Sequence, residues 1–276
     1  MYFKIYYKSH TGNVLNLVEE PYRMQTADLF DYSWEPYTES GYITAFEKAA
    51  AKKNAVLTIQ ADTPEEYGRA VNEFFETVEL DVLNMTPGRL YIGEQYMSCY
   101  ITASDKTEWE YGIPQMDVEI SIVTDYPYWI TEKAYAFHMS NAVSTNNKRY
   151  RYRYAYRYAN GLTSTYVENR HFYDVNFLMR IYGPCVNPMV VIDGAPYLVY
   201  IILAQGEYLE IDSRAGTVTK TMVTGKKENC FHSRDKEGDV FRKITHGMKS
   251  LNWSGRFNFD LIFYEERGEP KWPYGR

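Results

Sequence analysis

The pattern with the strongest chemical character in this chain is the run Lys148 to Tyr158, Lys-Arg-Tyr-Arg-Tyr-Arg-Tyr-Ala-Tyr-Arg-Tyr. Tyr150, Tyr152, Tyr154, Tyr156 and Tyr158 share one parity; Arg149, Arg151, Arg153 and Arg157 share the other. Drawn out as an extended chain, the run has an aromatic face and a cationic face. Basic residues interleaved with aromatics can bind single-stranded nucleic acid, pairing phosphate contacts with base stacking. The same alternation also makes an edge strand or arm, its tyrosines packed on a neighbouring domain or subunit and its arginines set against acidic partners. The whole chain is formally −6 at pH 7. Protein contact is therefore the stronger reading of the run.

Other constellations are thinner. The sequence contains no GxGxxG, phosphate loop, G-x-S-x-G or H-E-x-x-H. Gly225-Lys226-Lys227 lacks the upstream glycine and the Ser/Thr of a phosphate loop and reads as a turn. Cys230 and His232 are the best metal-ligand pair, with no second pair at ligand spacing. They read as a strand-end thiol and an exposed imidazole. Glu210 and Asp212, with Glu207 nearby, could set carboxylates on one strand face at glycosidase-like separation. The plainer reading is a strand running into a turn, with Asp212 bonding the backbone of Ser213-Arg214. Asp235, Glu237 and Asp239 surround Gly238 without the spacing of a calcium loop. No catalytic, cofactor-binding or metal-ligating residue is assigned, and no enzymatic activity is expected.

Composition says what must position such residues. The 276 residues are 45% hydrophobic and 24% charged, enough for one large or two ordinary domains. Aromatics make up 17%, with 28 tyrosines, a residue that favours strands and contact surfaces. No apolar stretch reaches the roughly 18 residues of a membrane-spanning helix. Met1 to His10 reads as a first strand rather than a secretion signal. Cys99, Cys185 and Cys230 are odd in number and widely spaced, which suits a reducing cytoplasm better than a disulfide framework. The acidic balance also disfavours duplex DNA as a ligand for the whole surface.

One helix stands out. Thr63-Pro64-Glu65-Glu66 supplies an N-cap, a proline at the first helical position and a glutamate three residues after the cap. Tyr67, Ala70, Val71, Phe74, Phe75 and Val78 follow as an apolar stripe on about four turns. Around it, strands are expected at Met1–Lys8, Val14–Leu17, Val56–Ala61, Arg89–Ile92, Tyr96–Thr102 and Gln115–Thr124. In the last, Met116, Val118, Ile120 and Ile122 alternate with polar residues. A boundary falls near Tyr126-Pro127-Tyr128-Trp129. Beyond it, short strands are expected at Val175–Tyr182, Val190–Ile192, Tyr197–Ile202, Glu207–Ile211, Val218–Val223, Val240–Ile244 and Phe257–Tyr264, a count and spacing that suit a sandwich. The expected class is mainly β: an α+β domain over residues 1–130, then a β-sandwich over 131–276 preceded by the Tyr/Arg-rich arm.

Several segments, taken in order, resemble the distal tail proteins of long-tailed, siphovirus-type bacteriophages. In the first half these are Asp31-Tyr-Ser-Trp34-Glu35, Leu57-Thr-Ile59, the Thr63 helix, Pro87 to Gly93, Tyr96 to Ile101, and the strand ending in Tyr126-Pro127-Tyr128-Trp129. In the second they are Gly183 to Pro188, Gly206 to Asp212, Thr217-Val218, Gly247 and the stretch Tyr264 to Trp272. Where that family often carries an acidic Tyr/Pro/Asp-rich stretch, this chain has Arg149 to Tyr158. The resemblance implies a tail-tube-like β-sheet or barrel domain with one helix, followed by a galectin-like β-sandwich. It further implies a homo-hexameric ring in the virion tail, assembled in the bacterial host cytoplasm. Its partners would be the tail-tube protein, the tail-tip hub protein and a receptor-binding protein. DNA would pass through the acidic lumen without specific binding.

A galectin-like sandwich also raises a carbohydrate-binding reading, in which Trp253 and Trp272 supply aromatic platforms for a glycan. The competing reading has Trp253 packed at a sandwich edge and Trp272 docking the C-terminal tail.

Overall fold

The computed structural model describes residues 4–139 and 163–272, and the chain divides into two compact units. One comprises Met1–Thr131 with Glu266–Arg276, the other Glu132–Glu265. The class is mainly β with one α-helix among the described residues.

The first unit holds β1 (Ile5–Lys8), β2 (Val14–Asn16), β3 (Val18–Glu19), β4 (Tyr22–Ala27), β5 (Glu35–Glu39), β6 (Tyr42–Glu47) and β7 (Ala51–Gln60). After α1 (Pro64–Leu83) come β8 (Gly88–Ile92), β9 (Gln95–Trp109) and β10 (Gln115–Thr124). An antiparallel sheet runs β9-β10-β7-β4-β3, while β8 pairs with β9 and β1, and β1 with β2. On β10, Met116, Val118, Ile120 and Ile122 are all buried, as the alternation predicts.

α1 begins as expected. The Thr63 hydroxyl accepts the Glu66 amide and bonds the Glu66 carboxylate, and Pro64 is the first helical residue. Ala70, Phe74 and Val78 are buried, with Tyr67, Val71 and Phe75 packed on the same core. The helix is 20 residues long, more than the four turns the apolar stripe suggests. Its last turns bury Thr77 and Asp81, polar residues that end the apolar pattern without ending the helix. Asp81 is satisfied from β1 and the residues after it. The Tyr7 hydroxyl donates to Oδ2 at 2.5 Å, the His10 amide to Oδ1 at 3.1 Å, and the His10 ring Nδ1 bonds Oδ1. Burial pushes the Tyr7 hydroxyl far above its ordinary pKa, so it remains a donor. A Cβ on Gly88 would lie 2.2 Å from the Tyr7 oxygen and 2.5 Å from Asp81 Oδ2, so only glycine fits there.

β11 (Trp129–Phe137) leads into the second unit and β22 (Phe259–Arg267) leads out of it. Between them lie β12 (Thr163–Asn169), β13 (Asn176–Tyr182), β14 (Cys185–Val186), β15 (Met189–Ile192), β16 (Ala195–Leu198), β17 (Ile202–Leu203), β18 (Tyr208–Asp212), β19 (Thr217–Thr221), β20 (Lys227–Asn229) and β21 (Gly247–Trp253). One sheet runs β20-β19-β18-β13-β22-β11, the other β12-β21-β15-β16. Both feed one core: Phe177, Met179 and Ile181 meet Leu209, Ile211, Val190, Leu251 and Trp253.

Two expected strands are not formed as written. Val240–Ile244 is a turn, because Asp239 accepts the Phe241 amide through its side chain and the Arg242 amide through its carbonyl, leaving Ile244 alone to bridge Val175. Tyr197–Ile202 breaks into the end of β16 and the start of β17. In the gap Val199 bridges Arg234 and the Tyr200 amide donates to Ser233. The three cysteines are free thiols.

Candidate assembly surface

Between β4 and β7 the first unit puts out a hairpin. Ser40 and Gly41 both have positive φ, 51° and 83°, the geometry of a two-residue turn that keeps the right-handed twist of β5 and β6. Every residue of both strands is exposed. Tyr42 is 77% exposed and Phe46 58%, with Tyr37 and Ile43 similarly open. The two strands pair only with each other among the described residues. A two-stranded ribbon of this kind has little stability of its own, so its root must hold it.

That root is built from distant parts of the unit. Lys53 is buried, and its ammonium donates to the Asp28 and Asp31 carbonyls at 3.0 and 2.6 Å. Asp28 Oδ1 accepts the Asn54 amide at 2.8 Å. Leu29 is buried, and Phe30 stacks on Trp272 with centroids 4.1 Å apart. Lys48, just after β6, points its ammonium at three rings, 5.2 Å from Tyr32, 5.0 Å from Trp34 and 4.9 Å from Tyr128, and donates to the Pro127 carbonyl. Gly268 lies against it; a Cβ there would sit 2.6 Å from Nζ. Burial, and behind it the charge of Lys53, lowers the Lys48 pKa to about 8. The C-terminal strap is fixed in turn by Gln95, whose side-chain amide accepts the Lys271 N–H and donates to the Lys271 carbonyl.

A second protrusion closes β9 to β10. Trp109, Tyr111 and Ile113 are exposed there, beside Glu108 and Glu110. Both protrusions are aromatic and acidic.

Sequence reasoning passed over the arm. Its signal was the Ser-Gly pair flanked by Tyr, Thr and Ile, a hairpin cue. The run that it favoured, including Arg149, Tyr150, Arg151, Tyr152, Arg153, Tyr154, Tyr156 and Tyr158, lies outside the described residues. Packing corrects one of the two glycan candidates. Trp253 is 4% exposed, edge-on to Phe137 and Phe259, and offers no open face to a sugar. Trp272 is 53% exposed, yet one face is taken by Phe30 and its Nε1 donates to Glu269.

The carboxylates considered earlier are engaged locally. Glu210 receives Arg180 at 2.6 Å, and Asp212 caps the turn through the Arg214 and Ala215 amides. Glu207 pairs with Lys220 at 2.8 Å, which together with the Ala204 amide holds its pKa below the usual range. Asp235 accepts the Glu237 amide. Burial pushes the Cys230 thiol up, and no group of three potential metal ligands occurs among the described residues.

No protein-family model matches the chain, and no curated protein matches it. Solved structures do. The Dit protein of phage SPP1, described as a paradigm of the hub adsorption apparatus in phages infecting Gram-positive bacteria, superposes over 97% of this chain and 100% of its own, at a TM-score of 0.57 and 11% identity. This is a Dit-type fold. A chain of the phage P2 baseplate in its calcium-activated conformation covers 98% of this chain and 100% of its own, at 0.61 and 13%, and the strontium-activated form gives 0.62 and 13%. At such identity the Dit resemblance is one of fold, and it extends through both units.

Proposed function

We propose that this protein is a structural component of a phage tail, a distal-tail ring that joins the tail tube to the tip hub and supports the adsorption apparatus. The observation that carries this reading is a fully exposed aromatic arm with a rigidly built root, on a Dit-type fold. An arm like this exposes apolar surface that a lone chain leaves wet, which marks a surface that another chain covers. In the proposed assembly the first unit closes a homo-hexameric ring against the tube and hub. The second, a galectin-like sandwich, faces outward toward receptor-binding proteins. The acidic chain lines a lumen that DNA crosses without retention, and the role needs no catalytic step.

Light scattering and negative-stain microscopy of the purified protein test this. The expected image is a ring of about six subunits with a central hole, the closed symmetry of such assemblies. A monomer that persists at every accessible concentration, with or without tube and hub proteins, overturns the reading.

A further inference from the structure

The arm has two unlike faces, and its register shows them. Directly paired residues of an antiparallel ribbon share a face. Glu35 lies opposite Glu47, and Tyr37 opposite Ala45. Pro36 lies opposite Phe46 on the other face, and past the bulge at Thr44 that face continues with Thr38 opposite Ile43, while Tyr42 pairs with Glu39 on the face of Glu35 and Tyr37. One face thus begins with two carboxylates directly opposed and carries a third, Glu39, and the other carries Phe46 and Ile43. Like charges in direct opposition across a strand pair are destabilising. Neither Glu35 nor Glu47 has an ion-pair partner among the described residues. From residue 35 to 47 there is no lysine or arginine. The arm is therefore a ribbon waiting for positive charge on one face and aromatic cover on the other.

Its edges differ as well. Pro36 blunts β5, since proline offers no donor to an added strand. β6, Tyr-Ile-Thr-Ala-Phe-Glu, carries no such block.

One segment of this chain has the matching chemistry. Lys148 to Tyr158 concentrates five of the protein's 30 basic residues in a short stretch and alternates four arginines against five tyrosines with the same period of two. We propose that the arm is the docking site for Lys148–Tyr158 of a second copy of this chain, added along the free edge of β6. Its arginines meet the Glu35/Glu47 face and its tyrosines cover Phe46 and Ile43. This is strand addition, in which main-chain bonds give affinity and alternate side chains give selectivity. The proposal rests on the ring reading and supplies that ring with a specific contact.

Charge reversal on the full-length protein tests it. Glu35→Lys with Glu47→Lys reverses the arm; Arg149→Glu, Arg151→Glu and Arg153→Glu together reverse the segment. Compared with wild type at a concentration where neither assembles, each variant alone should keep the wild-type thermal melt, and each should need about tenfold or more protein to assemble. Mixing the two variants should restore assembly, since each arm then finds a complementary segment on the other chain. Wild type that forms rings while both variants form them equally well overturns this contact and leaves the ring reading standing. Rescue when both reversals are placed on one chain, without rescue on mixing, means the segment docks on its own chain and overturns the second-copy contact. Wild type that never assembles overturns the ring reading and this contact together.

Discussion

Two stretches of the first unit are rich in apolar and aromatic residues, and they use them in opposite ways. α1 turns Ala70, Phe74 and Val78 into the core. The arm leaves Tyr37, Tyr42, Ile43 and Phe46 in solvent. The difference lies in what each can be laid against. α1 packs on β7 and β9 of its own chain, whereas among the described residues β5 and β6 pair only with each other. A concentration of apolar residues thus marks a surface that will be covered, and topology decides whether the same chain does it.

The largest expected effect tests that contrast directly. Phe74→Ala should lower stability by about 3–5 kcal/mol in urea unfolding, the cost of a cavity in a closed core. Phe46→Ala should change it by less than about 0.5 kcal/mol, as for surface sites, and weaken assembly instead. An arm variant as destabilising as the helix variant would show that the arm packs within its own chain.

Charged groups sharpen the same comparison. Asp81→Ala strands the Tyr7 hydroxyl and the His10 amide in a closed site and should cost about 2–3 kcal/mol by the same measurement. In the arm of the unassembled chain, Glu47→Gln removes a like-charge opposition and should raise stability by about 0.2–0.5 kcal/mol. A loss of stability on Glu47→Gln would mean that the carboxylate already has a cation.

What the sequence reveals follows the same division. α1 and β10 are legible because their signals are local: a capping box, a stripe at three and four, a strict alternation. The helix end is not, because Asp81 is a polar residue whose burial depends on Tyr7 and His10, far away in the chain. The root of the arm is illegible for a similar reason. Nothing near Lys48 or Lys53 announces rings from Tyr128, a glycine at 268 or a stack with Trp272. Trp253 misleads in the other direction, since an aromatic that suits a sugar platform suits a sandwich core equally well. The Dit-type class was readable, because the order of many weak segments carries more information than any one of them.

The strap gives a middle-sized effect. Trp272→Ala removes the stack on Phe30 and should cost about 1 kcal/mol, the worth of a half-exposed aromatic pair. Hydrogen exchange should speed up in residues 28–34 and leave α1 unchanged. Equal acceleration in both would mean that the strap supports the whole unit rather than the root.

An effect no larger than the strap's has the most distinctive signature. Folding moves Lys48 from an ordinary 10.5 down to about 8, chiefly through burial. The unfolded chain therefore binds more protons between those values, so the Lys48 contribution makes stability rise with pH across that window. At neutral pH the folded state carries the full cost of a partly desolvated ammonium, which the three rings offset only in part. Lys48→Met should accordingly be as stable as the wild type at pH 7, or more so by up to about 1 kcal/mol, allowing for solvent screening of a half-exposed group. That advantage should shrink as pH is raised from 7 to 10, and a constant difference would show that Lys48 does not titrate in the root. Assembly should move the other way, weakening in the variant, because a cation drawn to Tyr32, Trp34 and Tyr128 fixes the direction in which the arm leaves the unit. Lys48 then costs the fold a little stability and gives the arm its aim.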